Sequence, residues 1–182
     1  MNPPPLYILL VGPFPETHLL GPLSRYLERA FGLPVRLHEA TLDPEAAFDP
    51  SRKQYHSSEI LLQILNAAPP DAHRLLGLTA LDLFVPILTF LFGEAQYDGP
   101  AALVSIHRLQ SEFYGLPPDP MLLRERTLKE AVHELGHTFG LIHCAVPRCV
   151  MNASTGVEGI DAKSLLFCPQ CQRKLEAGAS RS

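Results

Sequence analysis

His133, Glu134, His137, Gly140 and His143 stand in the pattern H-E-x-x-H-x-x-G-x-x-H, a set of residue types that can build a catalytic metal site. His133 and His137 are four apart, so on a helix they share one face and can grip a single ion. Glu134 follows the first of them, where a carboxylate can act as general base on a metal-activated water. Gly140 is expected to end the helix in a left-handed turn that would strain a residue with a Cβ. That turn would swing His143 back as a third imidazole. Three protein ligands leave one position open, which separates catalytic from closed structural zinc. The same imidazoles also accept cobalt, nickel or copper. A bare H-E-x-x-H occurs on ordinary surface helices; the added glycine and third histidine favour the metal-site reading.

All four cysteines lie behind this motif: Cys144, Cys149, Cys168 and Cys171, spaced C-x4-C, eighteen residues, then C-x2-C. Three chemistries fit. Two close pairs joined by a loop can place four thiolates around a structural zinc. Two disulfides would suit an exported protein. A redox dithiol at Cys168 and Cys171 would want a strand–helix junction in a thioredoxin-like domain. The zinc reading is preferred, because the pair has no room for such a domain behind it. Met151 lies two residues past Cys149. A methionine is ordinarily core filler; under three imidazoles it would give them an apolar, polarizable floor.

His133 to His143 followed by Met151 resembles the metzincin metallopeptidases. The interleaved Cys144, Cys149, Cys168 and Cys171 narrow the resemblance to the archaemetzincins. That resemblance implies a zinc-dependent hydrolase of peptide bonds with two zinc ions per chain. His133, His137 and His143 would hold the catalytic ion, and Glu134 would be the base. The four cysteines would hold the structural ion, and Met151 would form the turn under the site. The family pattern has seventeen residues between the methionine and the next cysteine; here there are sixteen, and one residue fewer in a loop is readily tolerated. In fold, the resemblance implies an α/β (α+β) zincin with a mixed, mostly parallel, twisted five-stranded sheet and an active-site helix. A small irregular C-terminal part would be held by the second zinc. An antiparallel edge strand would line the cleft above the zinc helix. By order that strand is residues 87–92, leading into Gly93-Glu94-Ala95, and an extended peptide could pair with it.

The elements that must position this chemistry can be read along the chain. Residues 7–11 form a buried apolar run, a first strand ended by Gly12-Pro13. Leu20, Leu23, Leu27 and Phe31 are at helical spacing, with Gly32 as a stop. Residues 35–39 alternate as a second strand, and 41–53 read as loop. Ser57 or Ser58 is expected to cap a helix through Asn66. Strands are expected at 74–79, 87–92 and 101–106, the last in the centre of the sheet. Asp119-Pro120 suits a helix start, and that helix should run to Phe139. After Gly140 the chain reads as irregular, with a short helix after Cys171. Residues 141–182 hold few large apolar side chains, so a four-thiolate zinc would supply stability that a core cannot. It would also fix Cys144 beside His143 and Cys149 beside Met151. One domain, residues 1–182, is expected, with parts 1–140 and 141–182.

A chain of 182 residues, 46% apolar, can bury one sizeable core. A net charge of −4 argues against nucleic acid as a general partner. No export signal or membrane-spanning run is evident. A monomeric cytoplasmic protein acting on peptides is expected. Only six residues precede the first strand, so no inhibitory prosegment is expected, and a narrow cleft favouring short peptides is the expected restraint. Arg108, Glu112 and Tyr114 precede the zinc helix and read as surface or packing residues before substrate contacts. His18, His38, His56, His73 and His107 lack ligand spacing. The alternative function is a latent or non-catalytic zinc protein that binds a peptide or partner in the same cleft.

Overall fold

Alternation along the first strand sets the layers. In β1 (Leu6–Val11), Leu6 and Ile8 enter one core cluster, while Tyr7, Leu9 and Val11 enter another. A strand presents successive side chains to opposite faces, so β1 must be covered on both sides. The computed structural model, which describes residues 3–179, supplies both covers. On one face pack α1 (Leu20–Phe31) and α3 (Pro120–Thr138), through Leu23, Leu27, Ala131, Val132 and Leu135. On the other packs α2 (Ser57–Asn66), through Ile60, Leu61 and Ile64.

The main sheet has five strands in the order β2 (Val35–His38), β1, β5 (Arg74–Thr79), β9 (Ala101–Ser105), β8 (Gly93–Ala95). All pair in parallel except β8, which runs antiparallel to β9 along the outer edge. This is the mixed, mostly parallel sheet expected. Its centre differs: β5 is central, and β9 stands one place from the edge.

Other expectations are corrected. Residues 41–53 are not simple loop; they hold a 3-10 turn at Pro44–Ala47 and β3 (Phe48–Asp49). With β4 (Gln54–His56), β6 (Leu83–Val85) and β7 (Leu88–Leu91) this makes a second, four-stranded sheet. Strands of two to four residues are too short to carry a period-2 signal. The strand expected at 87–92 is β7, which joins the second sheet; the antiparallel edge of the main sheet is instead β8, at the Gly93-Glu94-Ala95 that follows. Neither Ser57 nor Ser58 caps α2. His56 is the N-cap, without a side-chain bond, and both serine hydroxyls donate to Glu94 instead.

The third helix follows expectation closely. The Asp119 carboxylate accepts from the Leu122 amide at 2.9 Å, and Pro120 opens the first turn. The helix stops at Thr138, with Phe139 as its C-cap. Gly140 has φ +79°. The Leu141 amide then reaches the Gly136 carbonyl and the Gly140 amide reaches that of His137, the paired closure of a left-handed helix end.

The C-terminal part is more regular than expected. It contains α4 (Val157–Ala162), and α5 (Pro169–Ala179) begins before Cys171 rather than after it. Arg126 of α3 forks onto Asp161 of α4 at 2.8 and 2.6 Å. Tyr26 of α1 donates to the Leu165 carbonyl at 3.0 Å. Among the described residues no helix is long and apolar enough to cross a membrane.

Candidate active site

The cap and the left-handed exit of α3 bring His133, His137 and His143 together. One ring nitrogen from each lies within 4.8 Å of the others. Two backbone carbonyls set the tautomers. His133 Nδ1 lies 2.8 Å from the Val150 oxygen and His137 Nδ1 lies 2.7 Å from the Leu141 oxygen. A carbonyl only accepts, so both Nδ1 atoms carry the proton and both Nε2 atoms present lone pairs. Those two Nε2 atoms face each other at 3.2 Å with no proton between them. Two lone pairs repel at that distance, and a cation between them removes the conflict. Tetrahedral zinc with Zn–N of about 2.1 Å would hold them about 3.4 Å apart. Burial holds His133 well below the ordinary imidazole value and His137 below it, so both stay neutral, the form a metal binds.

Glu134 sits on the same helix, buried, at the floor of a cleft of about 390 Å³. β7 and β8 form one wall, and residues 153–155 form the other. Burial first, then the Glu130 and Glu94 carboxylates, push Glu134 well above the usual carboxylate range; Lys163 opposes them. Glu130 and Lys163 stand outside the sequence motif but beside this carboxylate. They form an ion pair of 2.8 Å, with both side chains almost wholly buried beside the cleft. Glu130 had a signal, standing one helical turn before Glu134 on the same face. Lys163 had none, because its approach depends on how the C-terminal part packs.

Met151 is fully buried. A Cβ on Gly136 would fall 2.5 Å from its sulfur, so the thioether lies against α3 within one turn of both helical imidazoles. The Met151 carbonyl accepts from the Cys144 amide at 2.9 Å. That bond ties the methionine turn to the residue after His143.

The four cysteine sulfurs form a second cluster, also within 4.8 Å of one another, and all four are free thiols. Cys144 and Cys168 sulfurs are 3.8 Å apart. That is far beyond a disulfide bond, and it matches the edge of a tetrahedron with Zn–S of about 2.3 Å. Backbone amides of Val146 and Cys168 point at the sulfurs of Cys144 and Cys149. The amide of Cys171 at the start of α5 draws Cys168 down to about 7, while burial pushes Cys149 and Cys171 up. The donor set and spacing fit a thiophilic cation.

Among the described residues these are the two groups of three or more His, Cys, Asp or Glu able to hold a metal. The other five histidines join neither; His73, for example, packs on Phe139. Arg108 is committed to Asp82 through bonds of 2.6 and 2.7 Å. Tyr114 donates to the Arg108 carbonyl, and Glu112 is exposed outside the cleft.

Comparison with known proteins places this arrangement. The model of Peptidase family M54 matches residues 52–177. The archaemetzincin of Methanocaldococcus jannaschii is 44% identical over 157 residues, covering 85% of this chain and 86% of that protein. The crystal structure of archaemetzincin from Methanopyrus kandleri superposes with a TM-score of 0.86 at 36% identity, covering 97% of this chain and 95% of that one. A zinc-dependent peptidase from Methanocorpusculum labreanum superposes at 0.84 and 33% identity, with coverages of 93% and 99%.

Proposed function

Because the chain belongs to peptidase family M54, the archaemetzincins, and is a zinc metallopeptidase, we propose that His133, His137 and His143 hold its catalytic zinc. Glu134 is the general base for hydrolysis of a peptide bond. The observation that carries this reading is the facing pair of imidazole lone pairs at 3.2 Å, with His143 converging on them and a buried carboxylate alongside. Bound there, zinc supplies a Lewis acid that polarises the peptide carbonyl, lowers the pKa of water and offsets the burial of Glu134.

The chain's own residues do the rest. Glu134 accepts the proton of the attacking water and returns it to the leaving amine. The carbonyls of Val150 and Leu141 hold two imidazoles in the ligating tautomer. Along β8 the ladder bonds to β9 flank Gly93: the Ser105 amide donates to Phe92, and the Gln96 amide to the Ala101 carbonyl. By antiparallel alternation Gly93 turns its own N–H and C=O away from β9. Since Gly93 lines the cleft, these groups can pair with an extended substrate. The cleft volume of about 390 Å³ suits short peptides rather than folded proteins.

The four thiolates of Cys144, Cys149, Cys168 and Cys171 hold a second, structural zinc. It cross-links residues 141–182 internally and so holds His143 and Met151 in place, within one catalytic domain acting as a monomer. The test is cleavage of a mixed-sequence peptide library by the zinc-loaded protein, compared with Glu134→Ala by mass spectrometry. Cuts made by the wild type alone are expected. No cuts by either protein, with zinc on the three histidines, would overturn the assignment in favour of a peptide-binding zinc protein.

A further inference from the structure

Gly93 is not a glycine for conformational reasons, since the left-handed glycines of the described residues are Gly12, Gly32, Gly115 and Gly140. Its reason is space. A Cβ on Gly93 would fall 2.6 Å from Glu134 Cγ, 2.8 Å from Glu134 Oε1 and 2.7 Å from the Leu103 carbonyl oxygen. Carbon atoms in contact stand about 3.5–4.0 Å apart, so the shortfall at Glu134 is roughly 1 Å. The Leu103 oxygen belongs to the ladder of β9 beneath, so relief at that contact needs a small shift of the β8 backbone, and relief at the other two needs the Glu134 side chain to move.

The opposite face of β8 is fixed as well. The next residue, Glu94, points away from Glu134 by the alternation of a strand. Its carboxylate accepts from the hydroxyl of Ser57 and, at 2.8 Å, from that of Ser58. Both serines open α2. The edge strand is thus held on one side by α2 and seats the Glu134 side chain on the other.

We propose that Gly93 is a positioning residue for Glu134: the missing Cβ forms the slot that holds the carboxylate, and the Glu94–Ser57–Ser58 anchor keeps that slot in place. The same residue presents its backbone to the cleft, so the reach from substrate strand to base is set at one point of the chain. This rests on Glu134 being the base.

The experiment is Gly93→Ala in the zinc-loaded protein, with steady-state kinetics on a peptide that the wild type cleaves, metal analysis and a crystal structure. A displacement of about 1 Å should lower kcat roughly 100-fold, with KM and zinc content unchanged. In the Glu134→Ala background the same change should add nothing to the residual rate. The crystal structure should show the Glu134 carboxylate displaced. A kcat within about threefold of wild type, a further loss in the Glu134→Ala background, or an unmoved carboxylate overturns the proposal. If Gly93→Ala does not fold, Ser57→Ala/Ser58→Ala decides, since alanine suits the first turn of α2. It should lower kcat about tenfold with zinc retained, and an unchanged kcat overturns the proposal. A wild type that cleaves nothing refutes the parent reading instead, and the position of Glu134 in the Gly93→Ala crystal then decides the slot by itself.

Discussion

Lys163→Met removes one half of an ion pair that the protein has taken almost wholly out of water. The Lys163 side chain is 0% exposed and that of Glu130 5%, with nitrogen and oxygen 2.8 Å apart. Lys163 also lies 3.4 Å from the Asn152 carbonyl, next to Met151. Burial already raises Glu130 above the usual carboxylate range, and Lys163 is the first group opposing it. Without the ammonium the carboxylate is left buried and uncompensated. Breaking such a pair from one side costs about 3–5 kcal/mol. Over 182 residues, an unfolding entropy of about 2.1 cal/mol/K per residue sums to about 0.4 kcal/mol/K, so Tm should fall by about 8–13 °C. The assay is thermal unfolding followed by circular dichroism at neutral pH with zinc in excess. Glu130→Leu/Lys163→Met should recover most of the loss, because an apolar pair of similar volume often equals or exceeds a buried ion pair. A Tm drop under about 3 °C for the single variant, or a double variant as unstable as the single, would refute the reasoning.

Other outcomes follow from the same contacts. In the metal-free protein Glu134 has a raised pKa, so its contribution to stability is full below the unfolded value near 4.5 and is lost as pH rises through the folded value. Metal-free Glu134→Gln should therefore melt above metal-free wild type at alkaline pH, and the gap should close as pH falls below that unfolded value; a gap that widens on acidification contradicts the assignment. Gly136→Ala drives a methyl group against the fully buried Met151 sulfur and should cost about 1–3 kcal/mol by denaturant unfolding; no measurable cost would mean that the thioether is free to move. With one zinc on the cysteines and one on the histidines as proposed, Cys149→Ser should release the first and also weaken the second, through the bond from the Cys144 amide to the Met151 carbonyl, as read by competition with a chelator. Unchanged affinity at the histidines would defeat that coupling.

Much of the site is legible in the linear chain because its physics is local. His133, Glu134 and His137 share one face of one helix whatever surrounds it. Asp119, Pro120 and Gly140 specify where that helix starts and how it stops within a few residues of themselves. Buried apolar runs such as β1 and β5 announce strands. The spacing of four cysteines limits what they can hold.

Other features depend on contacts between distant segments, and no local pattern encodes them. β3, β4, β6 and β7 are too short to have a period and exist only because they pair. The hydroxyls of Ser57 and Ser58 look like helix caps from the sequence, but Glu94, more than thirty residues away, competes for them and wins. Lys163 becomes a partner of Glu130 only when α4 docks on α3. Gly93 lies just past the strand expected at 87–92, yet it is itself an edge-strand residue against Glu134. The sequence by itself therefore determined which imidazoles and which carboxylate share a helix and how that helix starts and stops, since helical geometry and capping act over a turn or two. Tertiary structure decided which strand lines the cleft, which buried charges surround Glu134 and what packs against it. Those depend on burial and on close approach between segments that only the complete fold brings together.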